Sequence, residues 1–518
     1  MKRILVGGAL VGAVAIGGYA YVDHRFEAEI IDAIERRNAD PEVDGVLVYE
    51  SLDTSLFSGT ANITGLVVTN RETKTVTTRV KNGSLKFDVG FGGSPGTLEA
   101  FSFDGIEVSD ATASISVGHL SADGLNVDPL AAASLESLTD MSVENFKLTD
   151  VKASITAPSP MEFSLRQIVL DTTGGGKTLN EFRFEGLMLD AVSPIGLPIK
   201  AQLEQIHVRG GNIGVLRDLF DMDRDADGRP RFKNDAMRAY MKESLNYFGF
   251  EKVGVKGLDV AVPNSVTVSL DEMLIDDFKR MAGMVVGVRG KLDNFRVSNL
   301  SALSPQAAQI LSIAELDQFV MNAESKTRID ESTRTFTSDA NMRIDDVLAT
   351  TMSATMSDVD IDAMAKRIHA LQDQQISLME RMEESEMKPE DMEAFNAEMM
   401  ESMLAVYFGY YEGFELAAKL DDIGGIGRGL NVYSAMTGIP ADDLRTQFAM
   451  AATQNLMMML GDNTPPQLQE TLTGFLASPS TPLSVKVNSK QDMRQVKPDD
   501  INETNWGEYI AIDIRAAQ

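Results

Sequence analysis

The chain has 518 residues, 43% hydrophobic and 24% charged, with a formal net charge of -30 at pH 7. Such an acidic surface repels a phosphate backbone, so the composition argues against nucleic-acid binding. The absence of cysteine excludes thiol nucleophiles, thiolate zinc sites, iron–sulfur clusters and disulfides, and the length suffices for several domains without such supports.

An uncharged stretch at residues 4–22 follows two basic residues at the N-terminus. Nineteen helical residues span about 28 Å, close to the roughly 30 Å hydrocarbon core of a bilayer. The basic residues favour an N-terminus that stays in the cytoplasm. Residues 1–25 are therefore predicted to be a single-pass anchor in a bacterial inner membrane, with the bulk of the chain in the periplasm. A cleaved signal peptide, with Gly18 and Ala20 before the cut, is the alternative.

A short pattern recurs between residues 65 and 297, in which Gly, Asn or Gln is followed by an apolar, a variable and an apolar residue. Successive steps between copies from residue 105 to residue 205 are 19, 21, 22, 19 and 19 residues. A period near 20 indicates a structural repeat. Apolar and polar residues alternate within and between the copies, which predicts one hairpin per copy. Asp104-Gly105 and Asp123-Gly124 are the expected turns.

These hairpins predict a long antiparallel sheet at residues 26–213, a helical insert at 214–252 and a second β region at 253–357. A sheet of many twisted strands either curls or is covered. Curling leaves an apolar groove, whereas a β-sandwich or solenoid has a filled core, and the sequence leaves both open. The candidate groove residues are Leu125, Phe146, Ile168 and Leu187.

After Asp358 the apolar residues, many of them Met, adopt helical spacing and predict a helical region at 358–480. Within it, the glycines at 424–429 are expected to form a flexible break, and a new helix is expected after Pro440. A terminal strand and tail are expected at 481–518. Met-rich faces either pack a core or offer an adaptable apolar surface. The predicted fold class is therefore α+β.

One acidic segment matches the first half of a calcium-binding loop. Asp223, Asp225 and Asp227 alternate, and Gly228 permits the sharp turn. The twelfth position of such a loop is a glutamate, whereas this chain has Asn234. The segment is either an incomplete calcium site or an acidic turn, and no other metal or cofactor is expected.

The run from Gly174 to Thr178 is similar to the end of a phosphate-binding loop. The segment that follows it is strand-like, whereas a phosphate loop leads into a helix. We therefore interpret the run as a hairpin turn. The sequence contains no zinc-type histidine spacing and no other clear catalytic motif, so it favours a protein that is not an enzyme.

The apolar segment at 4–22, combined with the Gly-apolar-x-apolar copies at 65–297, resembles the AsmA-like envelope proteins of bacteria. The resemblance covers about half of the chain, and the C-terminal helices depart from it. It implies a β-groove that faces the periplasm and a role in lipid or envelope homeostasis. We expect the chain to bind a lipid or another apolar ligand. The alternative is a non-enzymatic envelope scaffold or assembly protein with a protein partner.

Overall fold

The computed structural model of the protein describes most of the chain after the predicted anchor. The described residues are 31, 34–40, 45–55, 58–88, 97–127, 143–156, 159–193, 196–215, 223–224, 230–231, 234–263, 265–384, 409–461, 464–477, 481–496 and 505–516. The predicted anchor at 4–22 lies outside these ranges. Within them, no helix combines the length and the apolarity needed to cross a bilayer.

The chain divides into two compact units. The first contains Met1–Gly214 and Val255–Pro263, and the second contains Val215–Gly254 and Asn264–Gln518. In both units antiparallel strands are the main elements, accompanied by helices in the second. The predicted α+β class and the predicted long antiparallel sheet are thereby confirmed.

The first unit is built on an antiparallel sheet in which every strand from β3 to β10 pairs with the next, and β1 and β2 both pair with β3. Its strands are β1 (Gly45–Val48), β2 (Ser51–Ser55), β3 (Thr60–Asn70), β4 (Val76–Phe87), β5 (Leu98–Ser109), β6 (Ala113–Val127), β7 (Asn145–Ile155), β8 (Met161–Thr173), β9 (Thr178–Val192) and β10 (Pro198–Arg209).

The recurring glycine of the sequence pattern lies inside the strands. Gly105 has a φ of 62° within β5 and Gly186 has a φ of 70° within β9. The pattern of buried residues in β5 shows that positions 104 and 105 both avoid the buried face, which Phe103 and Ile106 occupy on either side. Each glycine therefore marks a bulge at which two consecutive residues leave the apolar face. Such bulges bend a strand and increase its twist.

The bulges at Gly65, Gly105 and Gly186 are aligned across the sheet, because the residues between them fall opposite one another in the strand register. Gly124 lies outside this line. We call this line the seam. A side chain at Gly105 would place its Cβ 3.0 Å from the Cβ of Lys81, and one at Gly186 would lie 2.7 Å from that of Arg166. The seam consists of Gly65, Lys81, Gly105, Gly118, Asp150, Arg166, Gly186 and Glu204.

The prediction of one hairpin per repeat is wrong, since Asp104-Gly105 lies within β5 and Asp123-Gly124 within β6. Each copy contributes one strand of 11 to 15 residues, and the period near 20 is a strand plus its connection. Glycine with positive φ serves a bulge as well as a turn, so the pattern was ambiguous. The turn predicted after Gly174 is present, because Thr173 pairs with Thr178.

One end of the first unit has a filled core. Leu85 and Leu98 are fully buried, and the cluster around them combines side chains of β3 to β6 with Leu47 of β1. Ile34, from a helical stretch at residues 34–39, is also buried in this cluster.

The second unit contains an antiparallel sheet with the order β14 to β21, in which each strand pairs with the next. A two-stranded hairpin, β11 (Asp223–Arg224) and β12 (Pro230–Arg231), precedes it, and β13 (Lys252–Ala261) spans the boundary between the units. The strands of the sheet are β14 (Thr267–Met281), β15 (Met284–Ser298), β16 (Gln318–Asp330), β17 (Thr335–Ile344), β18 (Leu348–Ser357), β19 (Gly413–Asp422), β20 (Leu483–Ser489) and β21 (Ile510–Ala516).

Helices pack with this sheet in the second unit. In one cluster, Leu468 and Leu472 pack with Ile514 of β21. In another, Tyr410 and Tyr411 are buried, and burial raises the pKa of Tyr411 above that of an ordinary tyrosine. The helices are α1 (Asn234–Ser244), α2 (Pro305–Ala314), α3 (Ile361–Glu384), α4 (Gly425–Thr437), α5 (Ala441–Leu460), α6 (Leu468–Ala477) and α7 (Trp506–Tyr509).

The helical region differs from the sequence expectation in two places. Strand β19 lies within the range 358–480, and the glycines at 424–429 belong to helix α4 and its N-cap. Asp422 explains the helix, because its Oδ1 accepts hydrogen bonds from the backbone N–H groups of Gly424 and Ile426 at 3.2 and 3.0 Å. A carboxylate at this position satisfies the free amides of a helix start. The helix expected after Pro440 is present as α5.

Candidate functional site

One face of the first unit's sheet is continuously apolar from β4 to β10, and we call it the apolar face. Strand register aligns its side chains in rows that run across the sheet. One row consists of Leu85, Phe101, Ala122, Phe146, Leu170, Phe182 and Val208. The next row consists of Gly83, Phe103, Leu120, Leu148, Ile168, Phe184 and Ile206.

Burial along these rows changes from one end to the other. Leu85, Phe101 and Phe103 are 0%, 7% and 5% exposed, respectively. From β7 to β10, the members of both rows are only half-buried. The apolar face is therefore a filled core at β4 to β6 and partly open to solvent at β7 to β10.

The four candidate groove residues all belong to the first unit, and the structure separates them by burial. Leu125 is 5% exposed and belongs to the filled core, and Phe146 packs against that core. Ile168 is half-buried and pairs with Leu148 and Phe184. Leu187 is half-buried and pairs with Leu203. Ile168 and Leu187 thus lie in the open part of the face, whereas Leu125 lies in the closed part.

The opposite face of the same sheet carries a groove of about 710 Å³, which we call the polar groove. Most of its lining residues alternate with the apolar-face residues along their strands, which places the groove on the polar side. The lining includes Met188, which is 58% exposed. Its charged residues are Glu107, Lys152, Glu162, Asp190 and Lys200. Lys200 and Asp190 form an ion pair at 3.0 Å.

A histidine near this groove lies between a carboxylate and a hydroxyl. His119 Nδ1 is 2.7 Å from Asp104 Oδ1, and His119 Nε2 is 2.9 Å from Ser121 Oγ. Sequence reasoning missed this cluster, because Asp104 and His119 are separated by 15 residues. A signal was available: Asp110 accepts from the amides of Thr112 and Ala113 in a tight turn, and the middle of that turn, between residues 111 and 112, is equidistant from 104 and 119.

A smaller, almost wholly apolar pocket of about 300 Å³ lies between α2 and α4 in the second unit. Tyr433 lines it, and the Tyr433 ring centroid lies 5.8 Å from that of Phe448 on α5. Several large apolar side chains of the same helices are exposed, among them Met436 at 69% and Met458 at 69%. The Met-rich helices therefore both pack a core and present apolar surface.

The calcium candidates Asp225 and Asp227 lie outside the described residues. The structure gives only the backbone of Asp223, which starts the short strand β11. In the part of the chain that the structure describes, no three His, Cys, Asp or Glu side chains are grouped so that they could hold a metal ion.

Comparison with known proteins adds one family match. A family model described as "Uncharacterized protein" matches residues 341–497, which all belong to the second unit. A search of curated proteins gave no match to the chain. The matched range contains α3 to α6 and none of the apolar face.

Proposed function

We propose that the chain binds the acyl chains of a lipid along the apolar face of β7 to β10. The observation that carries this proposal is the change in burial along single rows. Phe101 and Phe103 are buried, whereas Phe182 and Phe184 in the same two rows are half-buried. Leaving large apolar side chains partly in water costs about 25 cal/mol per Å² of apolar surface, so such a surface favours an apolar ligand.

A chain-like ligand fits the dimensions of this surface. Four strands, β7 to β10, span about 14 Å at a spacing of about 4.8 Å. The rows run across the strands, so an extended acyl chain can lie along a row and contact one apolar side chain per strand. The seam bends the strands, which favours a concave surface.

The proposal includes a location. The apolar segment at residues 4–22 would hold the chain in the inner membrane of a bacterial envelope, with the sheet in the periplasm. Lipids are the abundant apolar molecules at such a site. The resemblance to AsmA-like envelope proteins points to the same ligand class and is part of this proposal.

The proposal can be tested by extraction of lipid from the full-length chain, purified from a bacterial envelope in mild detergent. Ile168→Asp puts a charge on the apolar face and is expected to remove most of the bound lipid, since burying a carboxylate there costs several kcal/mol. Val169→Asp is the matched control, because Val169 is the next residue of β8 and faces the other way. Ile168→Trp keeps the face apolar but fills the space, and should also lower the lipid content.

Equal lipid content in all four proteins, with circular dichroism that shows a native fold, would refute the proposal. The lipid that surrounds the anchor is common to all of them, so only the difference between Ile168→Asp and Val169→Asp reports on the apolar face.

A second candidate function is that of an envelope scaffold, and the exposed apolar side chains of the second unit favour it. Leu303, Met436 and Met458 are 65%, 69% and 69% exposed. Tyr433 and Phe448 are each 46% exposed and their ring centroids lie 5.8 Å apart, and contiguous exposed apolar groups are typical of protein interfaces. Loss of a co-purifying envelope protein from a Met436→Asp variant, with unchanged lipid content, would support this function.

A further inference from the structure

Three side chains on the polar face of the first unit are connected as a serine nucleophile site requires. An ionised Asp104 can only accept hydrogen bonds, so the Nδ1 of His119 must be the protonated ring nitrogen. In the neutral ring Nε2 is then an acceptor, and the hydroxyl of Ser121 donates to it at 2.9 Å. This order, with the carboxylate orienting the base and the base accepting from the hydroxyl, activates a serine.

The strands fix this arrangement. Asp104 and His119 are direct partners in the pairing of β5 with β6. Ser121 is two residues beyond His119 on β6, and the two-residue period of a strand puts both side chains on one face. The side chains of Asp104 and His119 are 50% and 28% exposed, so solvent and a substrate can reach the cluster.

A binding surface lies next to the cluster. The polar groove includes Ser116 of β6, which is three residues from His119, or about 10 Å along the strand. The seam position Gly118 lies between Ser116 and His119, and the bulge there puts both side chains on the same face. The groove and the cluster therefore share one face of these strands. A chain-like substrate that occupies the groove can therefore extend over His119.

A lysine lies directly opposite Ser121 in the strand register. Lys147 on β7 is the register partner of Ser121, on the opposite side of β6 from Asp104. The backbone of β6 is hydrogen-bonded to β5 and to β7, so its amides serve the sheet. Register pairing puts Lys147 on the same face as Ser121, where its ammonium can stabilise negative charge on an oxygen bound at Ser121.

We propose that Ser121 and His119 are the catalytic residues of an ester-hydrolysing site on the polar face, that Asp104 is their positioning residue, and that the substrate is a carboxylic ester in the polar groove. The Ser121 oxygen attacks the ester carbonyl carbon, and its proton passes to His119 Nε2. The tetrahedral adduct expels the alcohol, which takes that proton and leaves an acyl group on Ser121. Water, deprotonated by His119, then releases the carboxylic acid and restores the serine.

The experiment is labelling of the full-length chain by a fluorophosphonate probe, which phosphonylates activated serines with loss of fluoride. We expect a single labelled peptide that contains Ser121, and the label should disappear in Ser121→Ala. His119→Ala should slow labelling by about 100-fold or more, since general-base catalysis contributes 10²–10⁴. Ser102→Ala is the matched control, because Ser102 is the direct β5 partner of Ser121, and it should label at the full rate.

Asp104 needs a readout that a structural role would not change. Asp104→Asn keeps the shape of the side chain but removes the carboxylate that accepts from His119 Nδ1, so it should slow labelling. Asp104→Glu should restore part of the rate.

An unlabelled native chain would overturn the proposal, as would equal labelling of the native chain and Ser121→Ala. This site does not depend on lipid binding by the opposite face, so either proposal can fail without the other.

Discussion

The seam makes a quantitative prediction for Gly186. This residue has a φ of 70°, a conformation that costs a residue with a side chain roughly 1–2 kcal/mol. A Cβ at this position would also lie 2.7 Å from the Cβ of Arg166, closer than two carbon atoms can approach without displacement. Forced overpacking typically costs about 1–3 kcal/mol more. Gly186→Ala is therefore expected to lower the free energy of unfolding by about 2–5 kcal/mol.

The control for this substitution is Gly196→Ala. Gly196 has a φ of 82°, but a Cβ there would meet no atom within 4 Å. Only the conformational cost of about 1–2 kcal/mol applies to it. The difference between the two variants therefore isolates the collision across the seam.

Urea denaturation, monitored by circular dichroism and by proteolysis, measures the free energy of unfolding of both variants. A double-mutant cycle with Arg166→Gly should recover about 1–3 kcal/mol in the background of Gly186→Ala, since it removes the opposing Cβ. A Gly186→Ala protein no less stable than Gly196→Ala would refute the seam.

Three further predictions concern single sites. Leu85 is 0% exposed in the filled core, so Leu85→Ala should lower the free energy of unfolding by about 2–5 kcal/mol in urea denaturation. The hydrogen bonds from Arg289, both 2.8 Å, hold the pKa of Asp276 below its ordinary value. Asp276→Asn should thus cost up to about 1 kcal/mol at neutral pH, and the difference from the native chain should shrink as the pH falls below the ordinary aspartate pKa of about 4 and vanish only below the lowered pKa of native Asp276. Ser304 accepts from the Ala307 amide at 3.0 Å and caps α2, so Ser304→Ala should cost about 1 kcal/mol, whereas Ser304→Asp should retain most of the stability.

Alternation of apolar and polar residues was sufficient to predict the strands but not their connections. The dipeptide Asp104-Gly105 has the composition of a turn, yet it lies in the middle of β5. A glycine with positive φ fits a turn and a bulge equally well. The choice depends on whether a neighbouring strand needs the space, and the contact between Gly105 and Lys81 is not local in sequence.

The candidate site was predictable in its residue type but not in its extent. Leu125 and Ile168 occupy equivalent positions of the repeat, and both lie on the apolar face. Their exposure differs because the buried end of the sheet is covered by residues from outside the repeat, such as Ile34 and Leu47. That covering is tertiary packing, which the local pattern does not encode.

Photo-cross-linking can show whether the open part of the apolar face holds acyl chains. The full-length chain would be incubated with a diazirine-bearing fatty acid in vesicles, irradiated, digested and mapped by mass spectrometry. Cross-links are expected on apolar-face residues of β7 to β10, such as Ile168 and Phe184, and none on Leu85 of the filled core. Cross-links confined to residues 4–22, or to the exposed Met436 and Met458 of the second unit, would contradict this expectation.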